Sequence, residues 1–549
     1  MGTPDRRRRW RLGVVAAFAV AASSALPAGS AIVNLRVSTS PYIVWLPSVD
    51  TSVVDADVAA ATASRTPTIT DLPLIHGVAV SLTSTEATVL KATYRVTPDA
   101  TVLTAMQAGK GGGTPAPRQL GNVFRKVTGA TETSFNGTGV GVAVVDTGIA
   151  ALSDFGSRLK TGVDLSSESG TASDGLDTFG HGTFIAGLIA GDGTSNPDYV
   201  GEAKGASLIP VKVAGRSGST SVSTIIRGLQ WIKDHRATDN IRIINMSVGA
   251  IPPGPTALNP LDQAVEAMWN DDFVVVTSAG NNGNARGTIT SPGDDPLVIT
   301  VGALDDKDTE GTTDDSVPSF SSNGPTSWDG WWKPDLIAPG KSVVSVTSTT
   351  SYIWANFKSA RVGARNFVGS GTSFSAAITS GAAALLLSSD AAKPSGYRSP
   401  SEVKAALLTT TNAGPGTTHD PWQQGHGVLN VAKAIAEPAI DMQQLSSTIP
   451  VPLPGASINL LTTKLASGWA SVDPLEGLPL SPLPFFGAAT TANDGGLPPT
   501  PFFHDSVWNA AEWDSHAWND GTWDSHAWND TQWNSHAWNS HAWNSATWS

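Results

Sequence analysis

From Gly139 onward, short apolar runs alternate with segments of helical period: VGVAVV, HGTFIAGLIAG, SLIPVKV, STIIRGLQWIKDH, IRIINMSV, LDQAVEAMWND, FVVVTSAG and LVITVGAL. Strands that alternate with helices predict an α/β fold, a doubly wound and mainly parallel sheet with helices on both faces. The strand-like runs lack polar alternation, as expected of strands covered on both sides. A last helical stretch near Ser401 to Thr410 and the segment GHGVLNVAKAIAEP close the pattern. The region is bounded as 118–437.

Upstream, residues 32–117 carry two strand-like pieces, IVNLRV and HGVAVSL, with a Thr/Ala-rich stretch between them, and end in a glycine run at Gly109 to Gly113. A small α+β unit and a flexible joint fit this composition. Downstream, residues 438–507 shift to Pro, Leu, Ser and Thr, the composition of a linker. In the tail, 508–549, Trp508, Trp513, Trp518, Trp523, Trp528, Trp533, Trp538, Trp543 and Trp548 recur at a step of five. A five-residue step scatters the rings around a helix and alternates them across a strand, so neither element gathers them on one face.

The N-terminus adds an address. Arg6 to Arg9 and Arg11 precede an apolar stretch from Leu12 to Leu26, with a small-residue cleavage point at Gly29 to Ala31. Residues 1–31 therefore read as a signal peptide, because the stretch is short of the roughly 20 residues that span a bilayer. A secreted chain, extracellular or associated with the cell surface, is expected. The net charge of −13, with only 15% of residues charged, argues against nucleic acid as a partner. The absence of cysteine excludes disulfides, thiolate metal sites and a cysteine nucleophile.

Four segments end in polar residues suited to acyl transfer, in the order VAVVDTG, GHGT, SAGN and GTSFSAA. Asp146 follows an apolar strand, which puts it at the carboxyl edge of the sheet, where open α/β folds place their sites. A carboxylate there can hold an imidazole in one tautomer. His181 opens the amphipathic run Phe184, Ile185, Leu188, Ile189, flanked by Gly180 and Gly182, which permit close backbone approach. Ser373 precedes a long small-residue helix, Phe374 to Leu387, whose N-terminal amides favour an oxyanion beside it. Asn281, just after FVVVTSAG, can donate a second hydrogen bond to the same charge.

In this order and context the four motifs resemble those of the subtilisin-like serine proteases, over about Gly121 to Ala436. The resemblance implies a serine endopeptidase in which Ser373 is the nucleophile, His181 the general base and then acid, Asp146 the orienting carboxylate and Asn281 the oxyanion donor. It implies polypeptide substrates bound as an added strand between Ser247-Val248-Gly249 and Gly218-Ser219-Thr220, with Ala279 and Gly280 bordering the pocket for the side chain before the scissile bond. It also likens residues 32–117 to an inhibitory propeptide, so that the chain is made as a proenzyme. No cofactor is required for catalysis.

The sequence departs from the family's common GTSMAAP at Phe374, Ser375 and Ala377. The acidic stretches Asp305-Asp306-Lys307-Asp308 and Asp314-Asp315 offer oxygen ligands for a structural calcium, though a solvated loop fits their spacing better and no metal ligand is assigned. His516, His526, His536 and His541 follow the tail repeat. Tryptophan joins a large apolar area to an N–H donor, which suits contact with a cell envelope, a polysaccharide or a partner chain. A surface-binding pseudoprotease acting through the tail is the alternative reading.

Overall fold

The computed structural model describes residues 38–107, 122–166, 168, 176–391, 396–416, 419–437 and 504–507. The signal segment, the strand-like IVNLRV, the glycine run Gly109 to Gly113, the linker apart from 504–507, and the Trp-repeat tail lie outside the described residues.

The described chain begins with β1 (Ser40–Trp45), α1 (Thr51–Ala61), β2 (Ile69–Leu72), β3 (Gly77–Leu82), α2 (Ser84–Leu90), β4 (Arg95–Pro98) and β5 (Thr101–Gln107). Strands β1 to β4 form an antiparallel sheet in the order β2-β3-β1-β4. Alternation along β1 sends its side chains to two different cores. Val44 packs with Val78 and Val80 of β3 and with Val54 and Val58 of α1, whereas Ile43 and Trp45 join the main core of the chain. HGVAVSL is β3, as the sequence predicts, but the central strand β1 has no counterpart in the sequence reading. Prolines at 41 and 47 flank its short apolar stretch YIVW, and proline argues against a central strand.

The chain continues through α3 (Phe124–Val127), β6 (Gly141–Asp146), β7 (Val163–Asp164), α4 (His181–Ala190), β8 (Ser207–Lys212), β9 (Ser219–Ser221), α5 (Val222–His235), β10 (Ile241–Met246), α6 (Pro260–Asn270), β11 (Val274–Ser278) and β12 (Ile299–Leu304). It ends with β13 (Leu336–Pro339), β14 (Val343–Val346), α7 (Tyr352–Asn356), β15 (Arg361–Val362), β16 (Asn366–Gly369), α8 (Thr372–Asp390), α9 (Pro400–Thr409), α10 (Pro421–Gln424), α11 (Val431–Ala436) and β17 (His504–Val507).

A seven-stranded sheet in the order β13-β12-β11-β10-β6-β8-β7 forms the centre, and every neighbouring pair in it is parallel. This is the doubly wound α/β architecture that the alternating pattern predicts. Strands β6, β11, β12 and β13 are buried at every residue, which accounts for their unbroken apolar runs. The connection from β6 to β8 runs toward one edge of the sheet, and those from β8 to β10 and from β10 to β11 run toward the other. Helix α4 follows the edge strand β7 and leads into its neighbour β8; it packs with α8, whereas α5 packs with α6. Helix α8 is the one described helix long and apolar enough to cross a bilayer, and 94% of that stretch is buried inside the protein. The strand order reverses around β6, the first strand of the sheet, and this switch point is where Asp146 ends its strand.

Beyond β4 the chain leaves the small sheet and attaches to the large unit. Asp99 accepts hydrogen bonds from the Ser223 backbone N–H (2.9 Å) and hydroxyl (2.6 Å) in the first turn of α5. Strand β5 then runs antiparallel to β9, with Thr101 opposite Ser221, Val102 opposite Thr220 and Leu103 opposite Ser219. Strand β17 lies parallel to the second half of β5.

Candidate active site

Asp146 is the last residue of β6 and fully buried, while His181 is the first residue of α4 and also buried. His181 Nδ1 lies 2.8 Å from both carboxylate oxygens of Asp146. Asp146 Oδ1 also accepts from the Thr147 backbone N–H at 2.7 Å, so the carboxylate is anchored by its own strand. The expectation that glycines allow close approach here is met at both positions. A Cβ on Gly182 would lie 2.2 Å from the Gly148 carbonyl oxygen, and one on Gly180, whose φ is +109°, would lie 2.5 Å from Ile353.

Ser373 occupies the first turn of α8, next to Thr372 at the helix start, and is buried. Its hydroxyl donates to the Ser247 carbonyl at 3.5 Å, and the Ser247 hydroxyl donates to the Ser373 carbonyl at 3.0 Å. Phe374, one of the departures from the family's common sequence, stacks at a tilt on Phe184 (centroids 4.5 Å apart) and lies 6.0 Å from the His181 ring. The N-terminal turns of α4 and α8 thus meet through this phenylalanine. The structure therefore brings Asp146, His181 and Ser373 to one end of the sheet.

Asn281 follows β11. Its Oδ1 accepts from both the backbone N–H and the hydroxyl of Thr372, each at 2.9 Å, and the Thr372 hydroxyl in turn accepts from the Gly280 N–H at 3.1 Å. With the oxygen so held, the side chain's donor end is its Nδ2. Thr372 is a site residue that sequence reasoning passed over, although it stands in the GTS motif itself. Asp177 and Thr147 are two more, and they join the Asp146 and His181 segments.

Ser247, Val248 and Gly249 continue from β10, and the next residue, Ala250, bridges to Ser291. Ala279 hydrogen-bonds to Val301 through its N–H and accepts from the Thr290 N–H, and Gly280 has a φ of +114°. These segments converge beside Ser373. In the other proposed edge, Gly218 sits in a turn with φ +68°, and the strand covers Ser219 to Ser221. Ser219 and Thr220 already pair with β5 in this structure.

The acidic stretches differ from the solvated loop expected of them. Asp305, Asp306 and Asp315 are buried, and Asp305 and Ser316 bridge the two stretches. Burial, reinforced by neighbouring carboxylates, pushes Asp306 up to about 7 and Asp315 up to about 6. Burial would raise Asp305 as well, but the ammonium groups of Lys307 and Lys341 outweigh it and hold that carboxyl below its usual range. Cations of the chain itself face Asp305, and among the described residues no three acidic or histidine side chains are arranged to hold a metal ion.

The geometry matches chemistry known from a particular family. The sequence fits the subtilase family, Peptidase S8, over residues 137–427, more than half of the chain. The chain belongs to the subtilase family. Like its relatives in that family it is a serine endopeptidase. It is 39% identical to the serine protease AprX of Bacillus subtilis over 308 residues, which cover 55% of this chain and 67% of AprX. It is 34% identical to subtilisin DY of Bacillus licheniformis over 305 residues, 55% of this chain and 92% of that subtilase. Among solved structures, fervidolysin from Fervidobacterium pennivorans, a keratinolytic enzyme related to subtilisin, superposes with a TM-score of 0.53 at 20% identity, covering 76% of this chain and 63% of fervidolysin.

Proposed function

We propose that this subtilase is a secreted endopeptidase, made as a proenzyme, that cleaves polypeptides through Asp146, His181 and Ser373. The observation that carries the reading is the Asp146 carboxylate against His181 Nδ1 at 2.8 Å, at the same sheet end as a serine in the first turn of a buried helix. Asp146 fixes the ring so that Nδ1 holds its proton and Nε2 is the base. Ser373 Oγ attacks the substrate carbonyl carbon as its proton passes to Nε2. The carbonyl oxygen takes the electron pair and is stabilised by the Asn281 amide and by backbone N–H groups at the start of α8. Collapse of this intermediate expels the amine, which takes the proton from His181, and water then releases the acyl group by the same steps in reverse.

Substrate lies as a strand along Ser247-Val248-Gly249 on one side and Gly218-Ser219-Thr220 on the other, with Ala279 and Gly280 beside the side chain before the scissile bond. The small N-terminal unit acts as the inhibitor. Its support is the antiparallel pairing of Thr101–Leu103 with Ser219–Ser221, the segment proposed as a substrate edge. The tail is proposed to hold the enzyme at a cell envelope or polysaccharide surface. The relative from Thermus sp. is called an extracellular serine proteinase. The signal-like N-terminus supports the same address for this chain.

The deciding experiment treats purified protein with a fluorophosphonate that labels activated serines, and assays peptide cleavage in parallel. Labelling at Ser373 and loss of both signals in Ser373→Ala are expected. Wild-type cleavage by Ser373→Ala would overturn the assignment.

A further inference from the structure

The loop before α4 contains a buried carboxylate with an unusual number of donors. Asp177 Oδ1 accepts from the Thr147 hydroxyl (2.8 Å) and from the backbone N–H groups of Phe179 (3.0 Å) and Gly180 (2.6 Å). Its Oδ2 accepts from the Thr183 backbone N–H (2.8 Å) and hydroxyl (2.7 Å). Helix α4 has Gly180 at its N-cap and so lacks a capping side chain of its own. Asp177 takes over that task from three residues upstream, satisfying helix-start amides that would otherwise be orphaned.

The bonds do more than cap. The Thr147 hydroxyl, which donates to Asp177, accepts from the Gly182 N–H at 2.9 Å. Thr147 directly follows Asp146, and Gly182 directly follows His181. A closed circuit therefore runs from the end of β6 through Thr147 to both the Asp177 carboxylate and the start of α4. The circuit fixes the distance and angle between the two segments that carry the carboxylate and the imidazole. The Ala150 N–H donates to the Thr183 hydroxyl at 2.9 Å, which ties the chain beyond β6 to the same helix turn.

We propose that Asp177 is a positioning residue of the hydrolytic reaction, holding His181 against Asp146 through Thr147 and the first turn of α4. The inference rests on the assignment of Asp146, His181 and Ser373 proposed above. Burial pushes the Asp177 carboxyl up from its usual range, and the bonds from Thr183, Gly180 and Thr147 act against that push. The group is fully desolvated, and its chemistry is that of an acceptor for five donors. An asparagine of the same shape would turn an amide NH2 toward one set of those donors. The start of α4 would have to shift, and reacting groups misplaced by about 1 Å cost on the order of 100-fold in rate.

The test compares Asp177→Asn, Thr147→Val and Ser373→Ala with the wild type in the full chain, using active-site titration so that turnover is reported per competent site. Thr147→Val keeps the carboxylate and its backbone donors and removes only the bridging hydroxyl, so it decides the matter if Asp177→Asn does not fold. For folded variants we expect kcat to fall by roughly 10- to 100-fold with KM within about twofold, a split that a merely stabilising residue would not produce. The downfield proton resonance of His181 Nδ1–H should shift or broaden in both variants. Wild-type kcat in folded Thr147→Val, or a loss confined to KM, overturns the positioning role. If Ser373→Ala is inactive at the same time, the assignment of the reacting residues survives that result. If Ser373→Ala is fully active, the assignment itself fails and the positioning role fails with it.

Discussion

Thr372 grips Asn281 by one atom: its backbone N–H and its hydroxyl both donate to Asn281 Oδ1 at 2.9 Å. The amide is thereby oriented before any substrate arrives, so the donation proposed for Nδ2 to a developing oxyanion would carry little reorganisation cost. Asn281→Ala is expected to lose about 100- to 1,000-fold in kcat with little change in KM, a magnitude taken from the measured behaviour of subtilisin itself. Steady-state kinetics on a peptide anilide checks this, and a change confined to KM would show that Asn281 binds the ground state instead.

Phe374 replaces the family's common methionine and fills the gap between Phe184 and His181. Phe374→Ala should cost about 3–5 kcal/mol of stability, and Phe374→Met less than about 1.5 kcal/mol, because methionine adapts to the same space. Denaturant unfolding of the active-site-blocked enzyme measures both, and equal costs would mean that shape at this position matters little.

Glu202 is buried beneath α8, where the Thr128 hydroxyl donates to its Oε1 at 2.6 Å and Oε2 has no hydrogen-bond partner among the described residues. Burial pushes its carboxyl up to about 8 from an unfolded value of 4.5. The folded chain then holds one proton more than the unfolded chain between those values, so the contribution of Glu202 to stability is fully present below pH 4.5 and is lost as pH rises through 8. Glu202→Gln, which keeps an acceptor for Thr128, should be more stable than the wild type at pH 9 by roughly 1–3 kcal/mol, with the advantage shrinking toward pH 5. Parallel melting curves across that range would refute the assignment if the two proteins track each other.

Asp99 bonds to the first turn of α5 and delivers β5 to β9. If residues up to that strand form the inhibitor, Asp99→Ala should weaken inhibition of the mature enzyme by the separate N-terminal unit about tenfold, the size of a lost helix-cap interaction. Sequencing of mature protein should place its first residue after Leu103, the last residue paired with β9. An inhibitor unaffected by Asp99→Ala would show that this contact is not part of the inhibitory interface.

Truncation before Trp508 should leave hydrolysis of soluble peptides unchanged, since the proposed site residues all lie between Asp146 and Ser373. Retention on cell-envelope material and on insoluble polysaccharide should fall. Equal retention of the two forms would remove the proposed anchoring role.

The order and burial of the large sheet were readable because a strand covered on both faces can only be apolar throughout, and its last residue marks the edge where chemistry sits. Asp146, the last residue of such a strand, Asn281, the first polar residue beyond one, and His181 and Ser373, in the first turns of their helices, were readable for that reason. Asp177 was not visible. It is an acidic residue in a glycine-flanked loop, where solvent exposure is the usual outcome, and only the folded chain shows five donors converging on it. The acidic stretch at Asp305 to Asp308 misled for the complementary reason: Lys341, far along the sequence, supplies the charge that makes burial of Asp305 tolerable. Strand β1 was hidden by Pro41 within it and Pro47 just beyond it, and its pairing with both β3 and β4 is a property of tertiary contact alone.

The parallel sheet has a consequence for when activity can first appear. Strands β10 and β11 lie between β6 and the edge strand β13 although they are made later than β6, and α8 packs across β10 to β13 only after all of them exist. Contacts of such long sequence separation form late in folding. A chain still emerging from synthesis, or one halted part-way, contains Asp146 and His181 but has no α8 to present a serine. With Ser373 as the proposed nucleophile, the ability to cut cannot precede completion of α8.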